Sequence, residues 1–253
     1  MAAKAGFHST RDGCPVIYLH MPPGRPWGMP NLSPFGIKLE TYLRMAGWAY
    51  EPRPADFRRA PKGKIPYVSI DGRLVGDSQL IIEELERRRG NTLDAHLTEM
   101  QRATGHALRR TLEEALYFIL AWQRYGEDSA WQVYRPMIGQ IMPALVRPVL
   151  PLIRRGVRKS LWSQGTTRHS TDEITAMGIA DLASVAVMLC DQDFLFGSRP
   201  STYDASAFAS IEGIAAFPHD SRLRSYLLGA GNLMGYRDRI RARWFAELQT
   251  GSR

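Results

Sequence analysis

The sequence predicts a small α/β unit followed by a larger all-helical one. Three observations point there. Strand and helix signals alternate up to about Leu93, an Asp71-Gly72 pair sits between two short strand-like runs, and beyond Leu93 the strand signal gives way to apolar residues at helical spacing. With 253 residues, 44% of them hydrophobic and 23% charged, the chain can bury a core of one or two domains, which excludes disordered, collagen-like and disulfide-scaffold classes.

Residues 16–20 (VIYLH) form an apolar, β-branched run that predicts a buried strand, and a Pro- and Gly-rich loop follows over 21–32. Phe35, Leu39, Tyr42, Leu43 and Ala46 then share one helical face, with Ser33 placed as N-cap, Pro34 at the first helical position and Gly47 at the end. Residues 48–52 predict a second strand, confined to a sheet edge because Pro52 and Pro54 cannot donate to a ladder. Tyr67–Ile70, the Asp-Gly turn and residues 73–75 predict a β-hairpin, and Ser78–Arg89 a helix whose basic last turn suits its C-terminal dipole before Gly90. The two units join near residues 90–98.

In the second unit, Leu108, Leu112, Leu116, Ile119 and Leu120 predict a long helix running to Gly126. Ser170 and Glu173 form a capping box that opens a helix reaching about Cys190, and Ser201 with Asp204 resembles a second box. Pro136, Pro143, Pro148 and Pro151 break the region between into short or kinked pieces. Asp181 interrupts an apolar run, where a structural hydrogen bond is expected to satisfy it.

Two cysteines, Cys14 and Cys190, and no Cys-x-x-Cys pair exclude dithiol chemistry and fit a reducing, cytoplasmic setting; no His or Cys spacing points to a metal. No secretory signal or membrane-spanning run is apparent. Nucleic-acid-binding motifs are missing as well, so the net charge of +8 does not by itself imply specific nucleic-acid binding. Seven Lys and Arg and no Asp or Glu lie in residues 129–171, and without that segment the balance is +1. Two readings stand: arginines paired with acids elsewhere, or an anionic, protein or subunit contact.

Four stretches together resemble the glutathione S-transferase superfamily: Ser33-Pro34-Phe35-Gly36, Lys64-Ile65-Pro66-Tyr67, Asp77-Ser78, and Phe194-Leu195-Phe196-Gly197 with Pro200 and Ser201 through Asp204. The wording of residues 32–41 and 60–66 is most similar to the branch containing metaxin and failed axon connections proteins, although the 21–32 loop is longer than usual and Gly36 stands where a side chain is common. The resemblance implies a thioredoxin-like, glutathione-binding domain over residues 1–95 and an all-helical domain over 96–253. It implies a transferase that passes the glutathione thiolate to a hydrophobic electrophile or peroxide, in a homodimer; the alternative is a non-catalytic, metaxin-like binding or adaptor protein.

By the same resemblance, Ser33 is the catalytic hydroxyl that holds the thiolate, beyond its capping role. Pro66 is a cis-proline that leaves the Ile65 backbone to pair with the cysteinyl backbone of glutathione. Asp77 and Ser78 take its γ-glutamyl end, and Lys64 or Lys62 its glycyl carboxylate. Tyr117, Phe118 and Trp122 lie on the helix that walls the electrophile pocket in this superfamily, with core packing as their other reading.

Overall fold

The structure, a computed structural model, describes residues 16–142 and 144–248, the side chains of 144–146 excepted. Cys14 and Pro143, singled out above, lie outside the described residues. Strands β1 (Ile17–Met21), β2 (Tyr50–Pro54), β3 (Tyr67–Ile70) and β4 (Arg73–Gly76) form one mixed sheet in the order β2-β1-β3-β4. β2 runs parallel to β1 at the edge, where its prolines cost no ladder bond. It starts two residues later than the sequence suggests, because Trp48 is buried and its N–H donates to Leu43 O just before the strand. In the β3–β4 hairpin, Ile70 pairs with Arg73, and Asp71 and Gly72 both have positive φ (51° and 75°), as a two-residue type I′ turn requires.

Helix α1 (Pro34–Met45) connects β1 to β2, and α2 (Ser78–Arg89) follows β4 and stops at the left-handed Gly90. Leu39, Tyr42 and Leu43 of α1 pack on the sheet as the spacing predicts, while Phe35 and Ala46 are only partly buried. Ile37, Lys38, Glu40 and Thr41 are buried too, since α8 (Thr202–Ala215) covers the opposite side of α1. A one-sided stripe could not reveal that second partner.

The helical unit begins with α3 (Glu99–Arg110), a π-helical stretch over Thr111–Leu116 and α4 (Tyr117–Tyr125). Together they carry the five predicted apolar positions, each 5% exposed or less. Then come α5 (Asp128–Ile141), α6 (Leu150–Gln164), α7 (Thr171–Leu189), α8, α9 (Arg222–Gly229) and α10 (Gly231–Trp244). Both predicted capping boxes form, at Ser170/Glu173 and Ser201/Asp204.

The two units interlock. Met29, Leu32 and Ile37 belong to the helical core, whereas Ala205 of α8 joins the core of the sheet. Asp94, in the connector, accepts both Thr202 N–H (2.8 Å) and Thr202 Oγ1–H (2.7 Å) and so ties the junction to the start of α8. The hydrogen bond expected at Asp181 is not made. Among the described residues its carboxylate has no partner, and burial alone pushes it up to about 6.

Candidate glutathione and electrophile site

The sheet register gathers the predicted site at one end. Tyr67 lies opposite both His20 and Gly76, so the residues just before β3, just after β4 and just after β1 are neighbours. The Ile65–Pro66 peptide is cis. Neither the Ile65 N–H nor its C=O has a hydrogen-bond partner among the described residues, which leaves a strand-like edge open to a peptide backbone. Beside it, Asp77 (φ 78°) caps α2, its Oδ1 accepting Gln79 N–H (3.0 Å) and Leu80 N–H (3.3 Å). Ser78 is buried, yet its hydroxyl has no partner among the described residues, at a helix N-terminus suited to a carboxylate. Lys64 is exposed and makes no ion pair among the described residues.

Ser33 is held from both sides. Its Oγ accepts Gly36 N–H at 3.3 Å as the α1 cap, and its own N–H donates to Asn31 Oδ1 at 3.0 Å. The hydroxyl proton has no acceptor among the described residues and is free to donate. Asn31 is fully buried, and its amide donates to Pro22 O at 2.7 Å. A Cβ on Gly36 would stand 2.7 Å from Asn31 Oδ1, so the glycine that departs from the usual pattern is what admits Asn31. Arg25 pins the same long loop to α1 through two bonds to Glu40 (2.6 and 2.8 Å) and a further one to Pro30 O.

Behind Ser33 lies a buried polar network. Lys38 Nζ sits 2.6 Å from Glu113 Oε1 and donates to Gln79 Oε1 at 2.9 Å, linking α1 to the π-helical stretch and to the residue after Ser78. Glu113 also accepts Ser206 Oγ–H (2.7 Å) and Arg109 (3.2 Å). Burial lowers the Lys38 ammonium from its ordinary value, and the Glu113 carboxylate opposes that. Arg124, also buried, donates to Leu32 O (3.0 Å) and Gly213 O (3.2 Å), bracing the residue before Ser33 against the C-terminal turn of α8.

Ser33 and Ile65 open onto an apolar cavity of about 660 Å³ between the units. Its far wall is Tyr117, Tyr125, Tyr134, Ile138, Ile141 and Met142. Tyr117 is in contact with Phe35, with ring centroids 4.9 Å apart, and its hydroxyl has no hydrogen-bond partner among the described residues; burial raises its phenol, as it does that of Tyr125. Of the three residues expected on this wall, only Tyr117 lines it. Trp122 is buried in the helical core and Phe118 packs against that core.

Comparison with known proteins identifies the family. The profile for the "Glutathione S-transferase N-terminal domain" matches residues 34–131, and that for the "Glutathione S-transferase, C-terminal domain" matches residues 178–240. The chain is 32% identical over 238 residues to the isoprene-epoxide–glutathione S-transferase of Rhodococcus sp. (strain AD45), covering 90% of this chain and 98% of that protein. This chain belongs to the glutathione S-transferase superfamily.

This member of the superfamily is also 30% identical to Failed axon connections of Drosophila melanogaster, over 97% of this chain and 62% of that protein, in line with the branch its wording suggested. Among solved structures it shares its fold with the β-etherase LigF from Sphingobium sp. strain SYK-6, with a TM-score of 0.64 and 18% identity, over 93% of this chain and 99% of that one. What the sequence did not disclose in this glutathione transferase-family chain are Asn31, Arg25, Lys38 and Arg124 behind Ser33, and the wall from α5. The one available signal was Lys38 and Glu40, charges inside a helix whose neighbours are mostly apolar.

Proposed function

We propose that this chain is a catalytically competent glutathione transferase that transfers the glutathione thiolate to a small hydrophobic electrophile, with an epoxide the first class to test. The observation that carries the reading is the shared opening of Ser33 and Ile65 onto one apolar cavity, with Asp77 and Ser78 beside Pro66 across the sheet end. The division of labour follows the two units, with residues 1–95 holding glutathione and 96–253 supplying the electrophile wall. A homodimer in a reducing compartment is part of the same reading.

The chemistry the residues supply is binding, orientation and electrostatics. The Ile65 N–H and C=O pair with the peptide backbone of glutathione; Ser78 and the α2 N-terminus receive its α-carboxylate. The free oxygen of Asp77 faces the ammonium, and Lys64 reaches for the glycyl carboxylate. The Ser33 hydroxyl donates one charge-assisted hydrogen bond to the sulfur at the N-terminus of α1, which favours thiolate over a thiol of ordinary pKa about 8.5. Attack then forms the carbon–sulfur bond while a carbon–oxygen bond of the epoxide breaks. Tyr117, kept protonated by burial, donates to the oxygen that leaves. The relative named above for isoprene epoxide supports the choice of electrophile.

Two measurements test this. Millimolar glutathione raises the melting temperature of the wild-type protein, and no stabilisation would overturn the enzymatic reading in favour of a binding or adaptor role. In conjugation assays, Ser33→Ala raises the apparent pKa of kcat/KM and lowers its value at neutral pH by ~10–100-fold, the worth of a hydrogen bond to a charged group. Unchanged rates and pH profile would remove Ser33 from the mechanism.

A further inference from the structure

The basic segment that accounts for most of the net charge resolves into two differently occupied sides. Its inner side, Tyr134, Ile138 and Ile141, walls the cavity. On the outer side, α6 presents Leu152 and Trp162, 66% and 58% exposed, on the same face as Arg155, Arg158 and Lys159, which are exposed as well. At 100° per residue these five fall within about a third of the helix circumference. Leu150, Ile153, Val157 and Leu161 take the opposite side and pack inward. Next to the start of α6, Arg135 and Arg147 line an open groove of about 420 Å³ together with Gln132 and Gln140, with no acidic side chain in its lining.

The expectation that these arginines pair with acids elsewhere holds for one of them. Arg154 turns inward to Asp128 (2.7 Å), to the Tyr125 and Gly126 carbonyls, and over the Trp131 ring. Arg168 donates to Trp162 O and so borders the same face. Among the described residues Arg135, Arg147, Arg155, Arg158 and Lys159 have no carboxylate within ion-pairing distance. Arg155, Arg158 and Lys159 share their face of α6 with two exposed apolar side chains, one of them a tryptophan. Leucine and tryptophan among cations on one helix face is the pattern of a helix lying in the plane of a bilayer interface.

We propose that the outer face of α6 docks on an anionic phospholipid bilayer, Leu152 and Trp162 entering the headgroup region and Arg155, Arg158 and Lys159 meeting lipid phosphates. The helix lies on the surface and does not cross it; among the described residues no helix is long and apolar enough to span a membrane. The docking rests on nothing in the glutathione reading, since none of the docking side chains lines the Ser33 cavity.

Co-sedimentation of the full chain with vesicles tests it. Vesicles of phosphatidylcholine with about 30% phosphatidylglycerol bind the protein at least ~10-fold more tightly than pure phosphatidylcholine, and raising NaCl from about 50 to about 300 mM releases it. Arg155→Gln, Arg158→Gln and Lys159→Gln combined abolish binding, while Arg155→Lys with Arg158→Lys retains it, because a lipid surface reads charge and not fork geometry. Leu152→Ser with Trp162→Ser weakens binding by ~10-fold or more, and brominated lipid quenches Trp162 fluorescence in the wild type but leaves a Trp162→Phe variant unaffected. All these side chains are exposed, so the circular dichroism spectrum and the glutathione-induced thermal shift of each variant match wild type. Equal affinity for neutral and anionic vesicles would overturn the proposal. So would binding that survives the Gln set, a Leu152/Trp162 double variant with unchanged affinity, or a self-association in the absence of lipid that the double variant abolishes.

Discussion

The backbone N–H of Ser33 donates to the side-chain oxygen of Asn31 at 3.0 Å, two residues before it, so the hydroxyl proposed to face the glutathione sulfur is aimed by a buried amide outside the helix. Asn31 is in turn held by Pro22 O, and the space it occupies exists because residue 36 has no side chain.

Asn31→Ala and Gly36→Ala therefore damage the same element from two directions. Gly36→Ala drives a Cβ to within 2.7 Å of Asn31 Oδ1 and destabilises by ~1–3 kcal/mol, the usual cost of overpacking. Asn31→Ala leaves Ser33 N–H and Pro22 O unpaired, with a similar loss. In the double variant the costs are less than additive, because the alanine at 31 removes the clash; chemical denaturation of the four proteins measures the coupling, and strict additivity would contradict it.

Tyr117 lines the cavity with an unpartnered hydroxyl, and epoxide opening needs a proton where aromatic halide displacement does not. Tyr117→Phe should lower kcat for an epoxide by ~10²-fold, at the low end of general acid catalysis, and change the rate with a chloronitrobenzene little. Equal losses on both substrates would assign Tyr117 to packing alone.

Asp181 gives a pH dependence whose sign follows from its environment. Desolvation raises its carboxyl in the folded protein to about 6, above its unfolded value, so its contribution to stability is fully present below pH about 4 and is lost as pH rises through about 6. Asp181→Asn should raise the melting temperature at pH 7.5 by ~2 °C or more and have little effect near pH 4. A melting curve series over that range checks it, and a uniform shift would show that the charge is not the cause.

At the start of α8, Asp204 is fully buried and accepts Leu195 N–H (2.9 Å), Ser201 N–H (2.7 Å), Ser201 Oγ–H (2.7 Å) and Tyr236 Oη–H (3.1 Å). Asp204→Ala strands these donors in the core and should destabilise by ~3–5 kcal/mol, whereas Tyr236→Phe removes one donor and costs about 1 kcal/mol. Urea denaturation ranks the two, and a reversed order would show that the phenol carries the network.

Local signals in the sequence determined the elements. Ser33 and Pro34 begin α1, Asp71-Gly72 turns the hairpin, Gly90 ends α2, and Ser170 and Ser201 open helices, because caps and turns are set by residues within a few positions of one another. The positions of Ser33, Pro66, Asp77 and Ser78 along those elements were legible for the same reason. The tertiary structure alone decided what stands behind and across from them. Lys38 meets Glu113 across 75 positions, Arg124 reaches Leu32 and Gly213 from a third element, and α5 brings Tyr134 and Ile138 to the cavity. Long-range pairings of this kind leave no periodicity in the chain; burial of a charge is compensated only where packing brings its partner, and that is a property of the folded arrangement.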